Sequence, residues 1–384
     1  MAKNYRVALY FNMVKVHHQG VVNGVIKYAR GCGDWNLFGT YWPMYEIGDF
    51  RTWNGDGIIA AVETAEDVKM LTSSGMPVVD TSGAILDDRL SLITNDNQEI
   101  GRIGGEHLLD AGLERFAFCG ASKSMWSMNR LAGFEKATRS GRVGDVVVFG
   151  KPIHWWHSPE FSRELADFLA GLERPCGVMS ANDIIGMNVV GACRMAGLRI
   201  PEDIAIVSVD NEELLCELST PPLSSIAFNR YEVGLKAAER LDLLMRGRPA
   251  VLPEPLLVPP IALTERASSA IVAVSDPLVS QALGFIKKNA VNNLGAGEVA
   301  DRLHTSRRNL ERRFRDRLGR TVLEEIHRNR IAHAKRLLRE KDVSVKRVAA
   351  LSGFKTMDRF AAIFTRYAGM SPTAFRKIQE DARR

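Results

Sequence analysis

The 384-residue sequence is poor in cysteine: it has five, and no two of them stand as a Cys-x-x-Cys pair. An odd, scattered set (Cys32, Cys119, Cys176, Cys193 and Cys216) argues against a disulfide framework or a zinc site and predicts reduced, buried thiols. No apolar run approaches the roughly 18 residues that span a bilayer, so no membrane partner is expected. Met1 to Phe11 runs straight into an apolar, strand-like segment. A basic start, a long apolar stretch and a small-residue cleavage site are all missing, which predicts a cytoplasmic protein. Catalytic signatures are scarce too. Gly101-Arg102-Ile103-Gly104-Gly105 lies inside a helical pattern instead of on a strand-to-helix turn, where a phosphate loop would need it. His107 and Asp110 lack a third partner. No enzyme activity, cofactor or metal is therefore expected.

Charge is present, and it is unevenly placed. Ser275–Arg384 carries 25 Lys and Arg against 12 Asp and Glu, whereas the rest of the chain carries 26 against 33. One end is suited to meet a polyanion and the other is not. The length predicts two or three domains, and 46% hydrophobic residues is ordinary for a globular chain.

The first part alternates short apolar runs with helical periods. Strands are predicted at Tyr5–Phe11, Ile58–Val62, Val78–Asp80, Phe116–Cys119, Val146–Phe149, Val178–Ser180 and Ile204–Val209. Helices are predicted at Gly20–Arg30, Glu66–Leu71, Asp96–Ala111, Asn129–Arg139, Pro159–Ala170, Ile184–Ala196 and Tyr231–Met245. This pattern predicts parallel sheets covered by helices on both faces, and its length is more economically two α/β lobes than one. A proline-rich stretch, Arg248–Pro260, comes next. The domains are placed at 1–266 for the two lobes, 267–276 for a linker and 277–384 for an all-helical region.

The helical region repeats itself. Leu310, Phe314 and Gly319 recur 50 residues on as Phe360, Phe364 and Gly369, and Val299-Ala300 recurs 49 residues on as Val348-Ala349. Each copy reads as a short helix, a turn and a second helix. Ser306 and Thr356 are placed to cap the second helices. Val299, Ala300, Leu303, Leu310 and Phe314 face inward in the first copy; Val345, Val348, Ala349, Leu351, Phe360, Ile363 and Phe364 do so in the second. Outward lie Arg307, Arg308, Glu311, Arg312 and Arg315 in one copy and Met357, Asp358, Arg359 and Arg366 in the other. A helix entering a major groove needs long donors near its N-terminus to reach base edges, with basic residues around it to meet phosphates. Arg307, Arg308 and Arg312 suit the first role. Arg313, Arg315, Arg317, Arg320, Arg328, Arg330, Lys346, Arg366 and Arg376 suit the second.

This stretch resembles the AraC-type DNA-binding domain over about Pro277 to Ile378. The residues that carry the likeness are VADRLHTSRRNLERRFRDRLGRT, RIAHAKRLL and SVKRVAALSGFKTMDRFAAIFTRYAGMSPTAFR. The resemblance implies that each unit presents its second helix to successive segments of operator DNA. By position, Arg308, Glu311 and Arg312 would read bases in the first unit, and Asp358 and Arg359 in the second. Ala362 stands where relatives often carry a long basic residue, which makes the second unit more an anchor to phosphates.

A regulator needs an input, and clefts between α/β lobes hold small ligands. Asn12, Asn182-Asp183 and Asp210-Asn211 come directly after predicted strands and would point into such a cleft. For a polyhydroxyl ligand, Asp supplies acceptors, Arg130 a donor fork and Trp126 an apolar face. Each of these residues could equally serve as a cap or turn, Asp183 as the cap of the helix Ile184–Ala196. Tyr5–Arg266 resembles the sugar-binding core of LacI/GalR-type regulators, related to periplasmic sugar-binding proteins. The carrying residues are Asp96-Asn97, Arg130-Leu131-Ala132-Gly133-Phe134, Ala181-Asn182-Asp183 and the run IPEDIAIVSVDNE from Ile200. That resemblance implies a two-lobed periplasmic-binding-protein-like fold in which Arg130, Asp183 and Asp210 hold sugar hydroxyls. LacI-type proteins carry their DNA reader at the N-terminus, whereas here it stands at the other end. The combination resembles the xylose operon activators. It implies a sugar effector such as D-xylose or another monosaccharide, a homodimer and contact with RNA polymerase. The loop Asn12–Gly20 (NMVKVHHQG) departs from that pattern and places His17 and His18 either near the ligand or, equally, as surface loop histidines. The alternatives are a sugar-processing enzyme with a DNA-binding tail, which turnover would reveal, and a transport receptor, against which the missing leader and the basic end both speak.

Overall fold

The computed structural model describes residues 4–39, 47, 49–140, 145–158, 162–248, 255–271, 276–292, 294–338 and 343–381. The chain divides into two compact units, one of Met1–Glu106 with Arg115–Ser269 and the other of Ala270–Arg384 with His107–Glu114.

The first unit holds two six-stranded sheets. The first sheet is built from β1 (Tyr5–Tyr10), β2 (Trp35–Gly39), β3 (Gly57–Ala60), β4 (Val78–Asp80) and β5 (Ser91–Asn95), with α1 (Val16–Cys32) and α2 (Ala65–Thr72) between strands. The chain then crosses to the second lobe through α3 (Asn97–Asp110). That lobe holds β6 (Phe116–Ala121), α4 (Met125–Ser140), β7 (Val147–Lys151), α5 (Ser162–Ala170), β8 (Cys176–Ser180), α6 (Asp183–Met195), β9 (Ile204–Val209), α7 (Glu213–Leu218) and β10 (Ser224–Phe228). It returns to the first lobe with α8 (Arg230–Met245) and β11 (Leu256–Val258), and crosses a third time into β12 (Pro260–Thr264). The sheet orders are β11-β5-β4-β3-β1-β2 and β12-β10-β9-β8-β6-β7. Every pairing is parallel except β10 with β12.

The expectation of two α/β lobes with parallel sheets therefore holds. All six residues of β9 and all four of β3 are buried, as strands covered on both faces must be. Each lobe is closed by a helix pair that crosses at glycine. A Cβ on Gly234 would lie 1.8 Å from the Val21 carbonyl oxygen, which lets α8 sit directly on α1. A Cβ on Gly133 would lie 1.9 Å from the Gln98 carbonyl oxygen, which lets α4 sit on α3. These two crossings bring Arg230 and Arg130 to the region where the chain changes lobes.

Composition hides β2, β5, β10, β11 and β12 from the sequence pattern. β11 and β12 emerge directly from the proline-rich stretch. Both are edge strands, where a proline costs no ladder hydrogen bond. β2 is also an edge strand, and only Trp35 of its five residues is fully buried, so it shows no apolar run. β5 (SLITN) and β10 (SSIAF) mix serine, threonine and asparagine with too few apolar residues to mark one. Within the predicted linker, Ala267–Ser269 forms a 3-10 turn tied to the second sheet: Ser268 Oγ accepts from Ser224 N at 2.8 Å and donates to the Ile206 carbonyl at 2.7 Å. Residues 159–161, 249–254 and 272–275, which fall in the predicted Pro159–Ala170 helix, the proline stretch and the linker, lie outside the described residues.

The second unit is all-helical: α9 (Pro277–Asn289), α10 (Ala296–Arg302), α11 (Arg307–Leu318), α12 (Val322–Leu338), α13 (Val345–Leu351), α14 (Met357–Ala368) and α15 (Pro372–Asp381). α10–α11 and α13–α14 are the two predicted helix-turn-helix units. Ser306 accepts from Asn309 N and Thr356 from Arg359 N, so both foreseen caps are made. Gly319 and Gly369 end α11 and α14 in left-handed conformation, at φ 65° and 71°. The two cores differ. The first packs Val279, Leu283 and Ile286 of α9 against Val299, Leu310, Phe314, Val322 and Ile326. The second is a chain of aromatic rings, Phe354, Phe360, Phe364 and Phe375, with successive centroids 5.2, 5.5 and 5.6 Å apart. Leu351, expected inside, is exposed, because the buried Ser352 takes the inward place at the turn.

Candidate ligand cleft and nucleic-acid interface

The ends of β1, β5, β8, β9 and β10 converge where the chain crosses between lobes, and the polar residues just beyond them meet there. Arg130 of α4 is buried and firmly held. Its Nε donates to Asn97 Oδ1 at 2.9 Å, and its Nη1 donates to the Ala181 carbonyl and stands 4.0 Å from Asp210 Oδ1. The guanidinium lies 5.0 Å from the Trp126 ring centroid and 5.5 Å from that of Phe228. Burial pulls the Arg130 guanidinium down to about 10 against the pull of Asp210. Burial likewise pushes the Asp210 carboxyl up to about 7, with Arg130 opposing.

Asp210 is held in a left-handed conformation at φ 113°, and Asn211 has φ 50°. Such a backbone costs a non-glycine residue on the order of 1–3 kcal/mol and persists only where the surroundings impose it. The restraints are visible. Asp210 N donates to the Ile226 carbonyl at 3.0 Å, Asn211 N to Ser225 Oγ at 2.9 Å, and Arg266 Nη1 to Asn211 Oδ1 at 3.0 Å.

The remaining predicted residues divide into two groups. His17, on the first turn of α1, stands with its ring edge-on to Phe228, centroids 5.2 Å apart. Burial, then Arg230, hold its imidazole well below the ordinary value, so it is neutral. Its neighbour His18 is lowered to about 4, by burial first and Lys15 next, and hydrogen-bonds to the Asn12 carbonyl through Nδ1 at 3.0 Å. Asn12, Asn182 and Asp183 each have a hydrogen-bond partner within the protein. Asn12 Oδ1 accepts from Val14 N, and Asn182 Oδ1 caps α6 through Ile185 N at 2.9 Å, a place the sequence offered to Asp183. Asp183 is fully buried beneath α7, accepting from Ser225 Oγ at 2.6 Å, Glu212 N at 2.8 Å and Cys216 Sγ at 3.4 Å. The sequence marks Asn97 only within the Asp96-Asn97 motif and gives it no site role, and it does not mark Phe228 or Arg230. Arg230 and Phe228 flank Asn229, which caps α8 through Glu232 N, and a residue next to a lobe crossing was the signal available.

On the helical unit, Arg307, Arg308, Arg312, Arg315, Met357, Asp358, Arg359 and Arg366 are all exposed. Arg312 leans on Asn309 Oδ1 at 3.2 Å and Asp316 Oδ2 at 3.5 Å, both contacts in water-exposed positions. Glu311 is half-buried, and its Oε2 accepts from Val322 N at the start of α12. Five residues expected to meet phosphates are bound within the protein. Arg320 is nearly buried and pairs with Glu325 at 2.7 Å and Asp110 at 2.9 Å, and Arg328 also pairs with Asp110. Arg313 pairs with Asp276, the cap of α9, at 2.6 Å. Arg376 donates to the Val343 carbonyl. Arg330 is buried, donating to the Ala290 and Leu294 carbonyls at 2.8 and 2.9 Å, because carbonyls buried between α9 and α10 must find a donor. Among the described residues no cluster of three His, Cys, Asp or Glu side chains forms a metal site, and no helix is long and apolar enough to cross a membrane.

Comparison with known proteins gives the same division. Residues 6–91 match the XylR N-terminal domain, 106–269 the periplasmic binding protein-like domain and 299–378 a helix-turn-helix domain. The chain is 30% identical to the xylose operon regulatory protein of Haemophilus influenzae over 97% of this chain and 98% of that one. It is 28% identical to the protein of that name from Escherichia coli K12, over 99% and 98%. A solved structure of a xylose-binding transcription activator, XylR, is 28% identical with a TM-score of 0.60, covering 98% of this chain and 99% of the other. Sensor lobes and DNA reader are thus joined in the same order along the whole length. The chain belongs to the family of xylose operon regulatory proteins.

Proposed function

We propose that this chain is a cytoplasmic, homodimeric activator of a carbohydrate operon, with a pentose, D-xylose first, as its effector. The observation that carries the reading is the Arg130–Asp210 pair between Trp126 and Phe228, in a chain that also bears two helix-turn-helix units. Arg130 offers donors, Asp210 acceptors and Trp126 a flat apolar face, which is the complement of a sugar ring with its C–H surface and hydroxyls. Asn12, Asn182 and Asp183 shape this site from behind, and His17 borders it. Arg308, Arg312 and Arg359 read bases, while Arg307, Arg315 and Arg366 meet phosphates. Glu311 and Asp358 restrict which bases are accepted and Met357 adds an apolar contact. RNA polymerase is the further partner, and the chain catalyses no reaction.

Sugar acts by favouring one arrangement of the lobes. It can change DNA binding only through its differential affinity for the two arrangements, typically 1–3 kcal/mol of coupling. A thermal-unfolding screen against pentoses and hexoses tests the reading. D-Xylose raises the melting temperature in proportion to the logarithm of its concentration; a flat response to every sugar contradicts it.

A further inference from the structure

Most polar groups at the lobe crossing have partners within the protein. His17 Nδ1 and Arg230 Nε do not: both atoms are buried and neither has a hydrogen-bond partner among the described residues. Native proteins keep few such atoms, because burying one without a partner costs stability. These two come from different helices, α1 and α8, yet meet at one ring. The His17 ring is 5.2 Å from Phe228 and the Arg230 guanidinium 5.3 Å, with Arg130 at 5.5 Å.

Arg230 is fixed in place. Its Nη2 donates to the carbonyl of the strained Asp210 at 2.5 Å, which aims the rest of the guanidinium. Gly20 leaves room for it, since a Cβ there would stand 2.8 Å from Arg230 Cβ. Phe228 offers no hydrogen bond, so polar recognition at this end of the cleft falls to its two neighbours. Arg230 can only donate. A neutral imidazole offers one donor and one acceptor, and His17 is held neutral.

We propose that His17 and Arg230 read one end of the bound sugar, each taking a hydroxyl, and that they decide which pentose the cleft accepts. An epimer in which one of these hydroxyls points away leaves the group that should take it buried and unpaired, which is how a polar site rejects a close analogue. This rests on the reading of the cleft as a sugar site.

The test uses the full-length protein and isothermal titration with D-xylose, L-arabinose, D-ribose and D-lyxose. H17F and R230Q are expected to weaken the preferred pentose by about tenfold or more and the disfavoured ones far less, so that the ranking collapses. G20A, which displaces Arg230 without altering it, moves the ranking in the same direction. D210N weakens every pentose alike. If H17F and R230Q keep the parent's ranking while the parent binds, the proposal is overturned and the sugar-site reading stands. If the parent binds no pentose, both fall. Should R230Q fail to fold, H17F and G20A decide the matter.

Discussion

The arginines that the two units offer to their ligands stand in opposite surroundings. In the sensor lobes Arg130 is buried, with its Nε and Nη1 committed to Asn97 Oδ1, the Ala181 carbonyl and Asp210. In the helical unit Arg307, Arg308, Arg315 and Arg359 stand exposed on α11 and α14. A buried, pre-aimed guanidinium beside a carboxylate recognises a neutral ligand by hydrogen-bond geometry, and long-range field contributes little. Exposed, loosely held guanidiniums recognise a polyanion by releasing its counterions, and only then by geometry. One protein thus answers to two different solution variables: the DNA end to salt, and the sugar end to pH.

The largest expected effect separates the two by salt. Raising monovalent salt from about 50 to about 200 mM lowers operator affinity on the order of a thousandfold, measured by fluorescence anisotropy. Sugar affinity, measured by titration calorimetry in the same buffers, changes less than about twofold, because its charges are buried and screened little. Equal salt slopes would break the comparison.

Next in size is a contrast within the helical unit. Arg312→Ala costs about 1–3 kcal/mol at the base it reads and relaxes specificity there, whereas Arg366→Ala weakens all operators alike. Binding to a panel of single-base operator variants distinguishes the two. A uniform loss for Arg312→Ala would remove it from base reading.

The effect that builds most gradually is on pH. Asp210 titrates at about 7 when folded and near the ordinary carboxylate value when unfolded, so below 7 the folded state binds the extra proton. Its contribution to stability therefore grows as pH falls from 7 toward 4. His18, lowered to about 4, has the opposite sign: between its ordinary value and 4 the unfolded state binds the proton, and stability is lost as pH falls. In the parent the two oppose each other. In D210N the compensation is gone, so its stability relative to the parent falls as pH is lowered from 7 to 4, by roughly 1 kcal/mol per pH unit. Urea unfolding across that range checks this, and parallel pH profiles would show that Asp210 is not buried beside Arg130 as described.

The same contrast explains what was legible in the sequence. Buried parallel strands such as Ile204–Val209 and the spacing of Leu310, Phe314, Phe360 and Phe364 announce themselves, because hydrophobic period reflects burial directly. Edge strands β2, β11 and β12 do not, since they are half-exposed or tolerate proline. Among site residues, Arg130 and Asp210 were found through motifs that resemble known sugar-binding cores. Arg230 and Phe228 were missed because no local pattern marks a residue whose role comes from a lobe crossing far along the chain. Arg330 and Arg313 were misplaced for a related reason. Charge in a basic helix says nothing about which side chains turn inward to satisfy carbonyls or pair with a cap.

The cleft and the DNA-reading helices are expected to act as one sensor and its output. The most direct measurement is operator affinity of the full-length protein with and without saturating D-xylose, in the parent and in D210N, at fixed salt. A shift of about 5- to 150-fold is expected in the parent, lost in D210N while affinity without sugar is kept. The same operator affinity in the parent with and without a sugar that it binds would contradict that expectation.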